Sequence, residues 1–235
     1  MNENEKDVYG EVVGCDEIHY SLLKSDTKEL YDADVPKYLA PVAEITMEDG
    51  STPNKRFYDN IARYVDMVEN DGNVSIVVSG IPCATAAALT GKHYDAKTGK
   101  IYDPGIVVAT PWATLSGRMS IAGNNYRYFQ FLKGKFAVGN TTAKTKEGGN
   151  ITPNTTELIF VPVTTIHAFQ LDEETVAGAK SVKADTTDPA FVDAETWFSK
   201  VQTPPEVTAA TAEEGAQSAE EGAQSAEEGA QSAEE

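Results

Sequence analysis

The residues able to do chemistry are few, and their spacing brings none of them together. His19, His93 and His167 are dispersed, with no Cys, Asp or Glu partner at metal-ligand spacing. Cys15 and Cys83 stand far apart and in no ligand pattern, which reads as two ordinary thiols of a reducing compartment. GKHYDAKTGK (91–100) has the flavour of a phosphate loop, but no glycine stands at the leading position and Ile101 follows Lys100 where a Ser or Thr is needed. DAKTG reads instead as a turn between two short strands, Lys92–Tyr94 and Lys100–Tyr102. There is no G-x-S-x-G elbow, and acidic pairs such as Asp16-Glu17 and Glu173-Glu174 read as solvated surface. The expectation is a protein without catalytic, cofactor or metal residues, and not an enzyme.

Charge is more informative. The 235 residues carry a net charge of -18. Residues 1–103 carry -9 and residues 147–211 carry -7. Between them, residues 104–146 hold six bases and no acid: Arg118, Arg127, Lys133, Lys135, Lys144 and Lys146. A chain this acidic repels phosphate at long range, so tight wrapping of nucleic acid is not expected. The basic segment should instead meet acidic surface, on its own chain or on another copy.

Within that segment lies YRYFQFLKGKFAV (126–138), the most aromatic stretch of the chain. Side chains alternate between the two faces of a strand. Alternation puts Tyr126, Tyr128, Gln130, Leu132, Phe136 and Val138 on one face and Arg127, Phe129, Phe131, Lys133 and Lys135 on the other. One face can pack on the core. The other needs a second layer of the same chain or a neighbouring copy. For the latter case the candidate inter-subunit residues are Arg127, Phe129, Phe131, Lys133 and Lys135, with Lys144 and Lys146 of the same basic segment.

The elements that would position this strand are mostly strands themselves. IHYSLLK (18–24), AEITMED (43–49), IVVATPWATLS (106–116) and ELIFVPVTTIHAFQL (157–171) have strand composition. ARYVDMVENDGNVSIVVSG (62–80) reads as a hairpin about Asn70-Asp71-Gly72. Pro111 and Pro162 suggest bulges or edges. Two short helices are expected: IPCATAAALTG (81–91), opened by Pro82 and closed by Gly91, and DAETWFSKV (193–201). The fold class is mainly β, an antiparallel sandwich or barrel with a flanking short helix. The N-terminus is polar and lacks an apolar leader, and the longest apolar run (74–89) is too interrupted to span a bilayer, so no membrane partner is expected. At the other end AEEGAQS repeats at 212–218, 219–225 and 226–232. Only alanines recur in its heptad, and one glycine per unit costs about 1 kcal/mol of helix propensity, so it reads as an acidic tail rather than a coiled coil. The expected organisation is an arm (1–17), a domain (18–203) and this low-complexity tail (204–235).

The ordered set of segments resembles the major tail protein of bacteriophages with long non-contractile tails. It runs through GCDEIHYSLLKSD, VPKYLAPVAEITME, IPCATAAALTGKHYDAKTGKIY, TPWATL, YRYFQFLKGKFAVGNTTAKTKEGGNITPNTTEL and AETWFSKV, and covers about residues 14 to 203. The resemblance implies a tail-tube fold of two packed antiparallel sheets with a flanking helix. It implies six copies closing a ring, and rings stacking into a tube through which genome DNA passes without specific binding. It further implies a structural virion protein, made in the bacterial host cytoplasm, with tape-measure, tail-terminator and baseplate proteins as further partners. The arm, the stretch 25–38 and the loops 122–126 and 140–150 are polar and cannot fold alone, so they are expected to be mobile in a monomer and ordered in the tube. The competing expectation is a monomeric β-sandwich module that binds carbohydrate or a cell surface.

Overall fold

A computed structural model describes residues 10–48, 51–69, 72–106, 108–141 and 155–207. One antiparallel sheet organises the chain. Its backbone is β1 (Val12–Asp26), β10 (Ala113–Ile121), β11 (Asn125–Thr141), β12 (Thr156–Pro162), β7 (Val74–Val78) and β4 (Val42–Met47), neighbours in that order. Two short strands, β2 (Tyr31–Ala33) and β3 (Lys37–Tyr38), pair with β1. β15 (Ser181–Asp185) pairs with the first half of β11, on residues 127–131, while β12 takes the second half from Gly134 onward. The sheet curls so that β4 returns to pack against β1, but no ladder joins those two strands and the sheet is not closed into a barrel.

The curl is what creates a core. Ile18 and Tyr20 of β1, Leu115 of β10, and Phe129 and Phe131 of β11 share one cluster with Val74, Ile76 and Val78 of β7 and Leu158 and Phe160 of β12. In β7 and β12 buried residues alternate with less buried ones, the period-2 pattern of a strand with one dry face. Close approach is allowed where side chains are absent. A Cβ on Gly117 would run into the rings and methyls of Phe129 and Ile18, and one on Gly134 into Phe160.

The helix α1 (Cys83–Thr90) follows Pro82 and ends at Gly91, whose φ of 75° is the left-handed geometry of a C-terminal cap. Its small residues let it lie on β11, with Ala87 and Leu89 buried. After it, β8 (His93–Asp95) and β9 (Lys100–Tyr102) form the small hairpin that DAKTG predicts.

Several expectations need correction. The run 62–80 is not one hairpin: its first half, β6 (Ile61–Glu69), pairs backwards with β5 (Ser51–Tyr58), and its second half is β7 in the main sheet. The turn that wins is Asp59-Asn60, with φ of 52° and 63° in a two-residue loop between Tyr58 and Ile61. Two consecutive positive φ values match the twist of a hairpin, and Asp and Asn tolerate them. Second, 193–201 forms only a 3₁₀ turn at Trp197–Ser199. Third, strand β10 begins at Ala113 and not at Ile106, because Pro111 removes an amide donor. Fourth, residues 25–38 already carry β2 and β3 within a single chain. The second half of 157–171 is a separate strand, β13 (Ala168–Gln170), paired with β14 (Val176–Gly178). β1 begins at Val12, so the last residues of the expected arm lie in the sheet. The tail from 208 onward lies outside the described residues.

Candidate assembly interface

Strand β11 decides the fate of most candidate contact residues. Ala113 pairs with Gly134 and Leu115 with Phe131, so β11 carries one extra residue between them. This bulge shifts the alternation by one. Phe129 and Phe131 point into the main core, and beyond the bulge Phe136 joins them there, ring to ring with Phe160 at 4.8 Å. Strict alternation had put Phe136 on the opposite face.

The other face is covered by the chain's own C-terminal region. Tyr128 packs among Phe191, Trp197 and Phe198 at ring distances of 5.4–5.9 Å. Leu132 shares a second cluster with Phe169 of β13 and Ala179, flanked by Tyr31, Val182 and Val201. Between those patches Gln130 is fully buried, and its amide nitrogen donates to the Phe131 carbonyl at 3.1 Å. Residues 128–134 of β11 are therefore dry on both faces within one chain.

The bases around it find acids of the same chain. Arg118 grips Asp16 at 2.7 and 2.9 Å, and these bonds push its guanidinium further above its ordinary range. The bulge in β1 that aims Asp16 places Glu17 at φ 51°. Arg127 grips Asp185 of β15 at 2.7 Å through both nitrogens. Lys133, only 6% exposed, meets the buried carboxylate of Asp26 at 2.5 Å. Burial pushes Asp26 up, but the Ile166 amide, the Lys133 ammonium and the His167 amide outweigh it and hold the carboxyl below its usual range. Lys133 and Lys135 also flank the Trp112 ring, at 4.7 and 4.4 Å from its centre.

Of the seven candidates, then, Phe129 and Phe131 lie in the chain's own core and are not free to meet a neighbour. Arg127 and Lys133 are engaged within the chain, and Lys135 lies half-buried against Trp112. Lys144 and Lys146 lie outside the described residues. Among the described residues no group of three or more His, Cys, Asp or Glu gathers where a metal could sit. No helix there is long and apolar enough to cross a membrane.

No protein-family model and no curated protein sequence matches the chain.

The surface with unspent binding capacity lies elsewhere, on the β5–β6 hairpin. It holds no candidate from the sequence. Phe57, Tyr58, Ile61, Tyr64 and Val65 are each more than half exposed. Both faces of the ribbon are involved. Tyr58 and Tyr64 meet edge to face at 5.8 Å, with the Arg56 guanidinium over Tyr64 at 5.7 Å. Phe57 is paired with Ala62 and Lys55 with Val65 in the remaining rows. Arg56 pairs with Asp66 across the ribbon, and Arg63 with Asp59 at the tip. The signal for this hairpin was in the sequence, as Asp59-Asn60 between NKRFY and IARYV, but it competed with Asn70-Asp71-Gly72 a few residues on.

Proposed function

We propose that this chain is a structural subunit that self-assembles, with the β5–β6 hairpin as an arm that docks on a second copy. The observation that carries the reading is that arm. A two-stranded ribbon is marginal alone in water, and this one exposes aromatic and branched side chains on both faces. Four of its charges pair within it, Arg56 with Asp66 and Arg63 with Asp59, so most of what it offers a partner is apolar contact. In this reading the arm meets a surface unlike itself, which makes the contact head-to-tail and lets it propagate into rings or filaments rather than a closed dimer.

With the resemblance to tail proteins of long-tailed phages, the specific reading is a tail-tube subunit of the packed-sheet type. Six-membered rings of it would stack into a tube in the virion, beside tape-measure, terminator and baseplate proteins. The curled antiparallel sheet with one flanking helix is compatible with that fold. A net charge of -18 suits a conduit along which phosphates slide without binding.

Negative-stain microscopy and light scattering on the full chain test this, beside a Phe57→Asp, Tyr64→Asp double variant. The expected result is rings or tubes of uniform diameter for the parent and folded monomers for the variant. Tubes formed equally well by the variant would remove the arm from the contact. A parent that stays monomeric at high concentration would favour a monomeric binding module.

A further inference from the structure

The imidazole of His167 is 9% exposed and faces two acceptors at once. Its Nδ1 lies 3.1 Å from the Lys28 carbonyl oxygen, in the turn between β1 and β2. Its Nε2 lies 2.8 Å from Oε2 of Glu206. A neutral imidazole has one N–H and can serve only one of them; the imidazolium has two and serves both. Glu206 belongs to residues 201–207, a strap without regular structure that crosses β13. The strap is pinned at a second point, where the Gln170 amide donates to the Pro205 carbonyl at 2.9 Å.

We propose that His167 and Glu206 form a proton-controlled latch that holds this strap on β13 when the imidazole is charged and loosens it when the proton leaves. The charged groups around the ring come from each packed element. The Asp26 carboxylate at the end of β1 accepts the His167 backbone amide at 2.9 Å, Lys133 of β11 neutralises Asp26, and Glu206 arrives from the strap. β13 and β2 contribute the edge contact of Phe169 and, behind it, Tyr31, whose hydroxyl donates to the Leu132 carbonyl. Lys133 and Asp26 cancel, so Glu206 is the charge left facing the ring. On deprotonation, either Nε2 presents a lone pair to that carboxylate or the Lys28 carbonyl loses its donor. The strap contact therefore weakens when that proton leaves, because the bond to Glu206 loses either its donor or its charge assistance.

The Gln170 amide reports the state of the strap directly, and the isolated full chain suffices, with no assembly required. Its hydrogen-exchange protection factor, corrected for intrinsic exchange, is measured at about pH 5.5 and about pH 8.5. The expected result is roughly tenfold lower protection at the higher pH, the scale of one charge-assisted hydrogen bond. His167→Gln removes the ionisable ring and brings the ratio to about one. Glu206→Gln, at a side chain 66% exposed and so without risk to folding, shrinks the ratio while His167 is intact. Equal protection at both pH values in the parent overturns the latch. So does a ratio left undiminished in Glu206→Gln, which decides the matter should His167→Gln fail to fold.

Discussion

Strand β11 and the β5–β6 hairpin are built from similar material and meet opposite fates. Each interleaves aromatic residues with bases along antiparallel strands: YRYFQFLKGKF in one, KRFYDNIARY in the other. In β11 the curled sheet covers one face and the C-terminal region covers the other, so Phe129, Phe131 and Leu132 are all at least nine-tenths buried. In the hairpin neither face is covered, and Phe57 and Tyr64 are 63% and 58% exposed. Aromatic and basic composition therefore marks a surface that must be covered, but not by what. For β11 the cover is the same chain; for the hairpin, in the reading proposed above, it is another copy.

That contrast can be broken by stability measurements. The largest effect is expected from Phe129→Ala, which removes a fully buried ring beneath the curl and should cost about 3–5 kcal/mol in a urea titration. A loss below 1 kcal/mol would mean that β11 is not a core strand. Next comes Lys133→Met. It strands the buried Asp26 carboxylate without its counter-ion, for an expected loss of about 3 kcal/mol in the same titration. The charge reversal Lys133→Glu should accordingly unfold the subunit rather than merely block assembly.

Asp26 also gives a pH signature with a definite sign. Its folded carboxyl lies below the ordinary range, so its contribution to stability is complete above that range. It is lost as pH falls through the depressed folded value. Asp26→Asn should flatten the acid limb of the stability curve, measured by chemical denaturation at stepped pH; an unchanged limb would show that other carboxylates control it. Gly117→Ala comes next, at about 1–3 kcal/mol, since its methyl must displace Phe129 or Ile18. The smallest effect is expected in the arm. Tyr64→Ser should shift monomer stability by no more than about 0.5 kcal/mol, because its ring rests on the ribbon and not on the core. A large loss there would erase the distinction between the two regions.

Several elements were legible without coordinates because their signals are local. Pro82 and Gly91 bracket α1 by fixed backbone preferences, and DAKTG turns because Asp95 accepts from the Lys97 amide and the Thr98 hydroxyl. The strand over 126–138 announced itself by aromatic content. Its bulge did not, because an extra residue is defined only against a partner strand, and β10 is that partner. The hairpin assignment failed for a related reason. Asp59-Asn60 and Asn70-Asp71-Gly72 are both competent turns, and the choice rests on β7 being claimed by β4 and β12.

By itself, then, the sequence determined the mainly β character, the helix at 83–90, the segregation of charge and the need to cover both faces of the aromatic strand at 126–138. Tertiary structure alone decided who covers them. It paired Arg118, Arg127 and Lys133 with Asp16, Asp185 and Asp26, partners 58 to 107 positions away in the chain. Local preference cannot encode such distances. Burial of both faces of β11 depends on where the chain returns after residue 155, and that is fixed by the summed free energy of the packed domain rather than by any one segment.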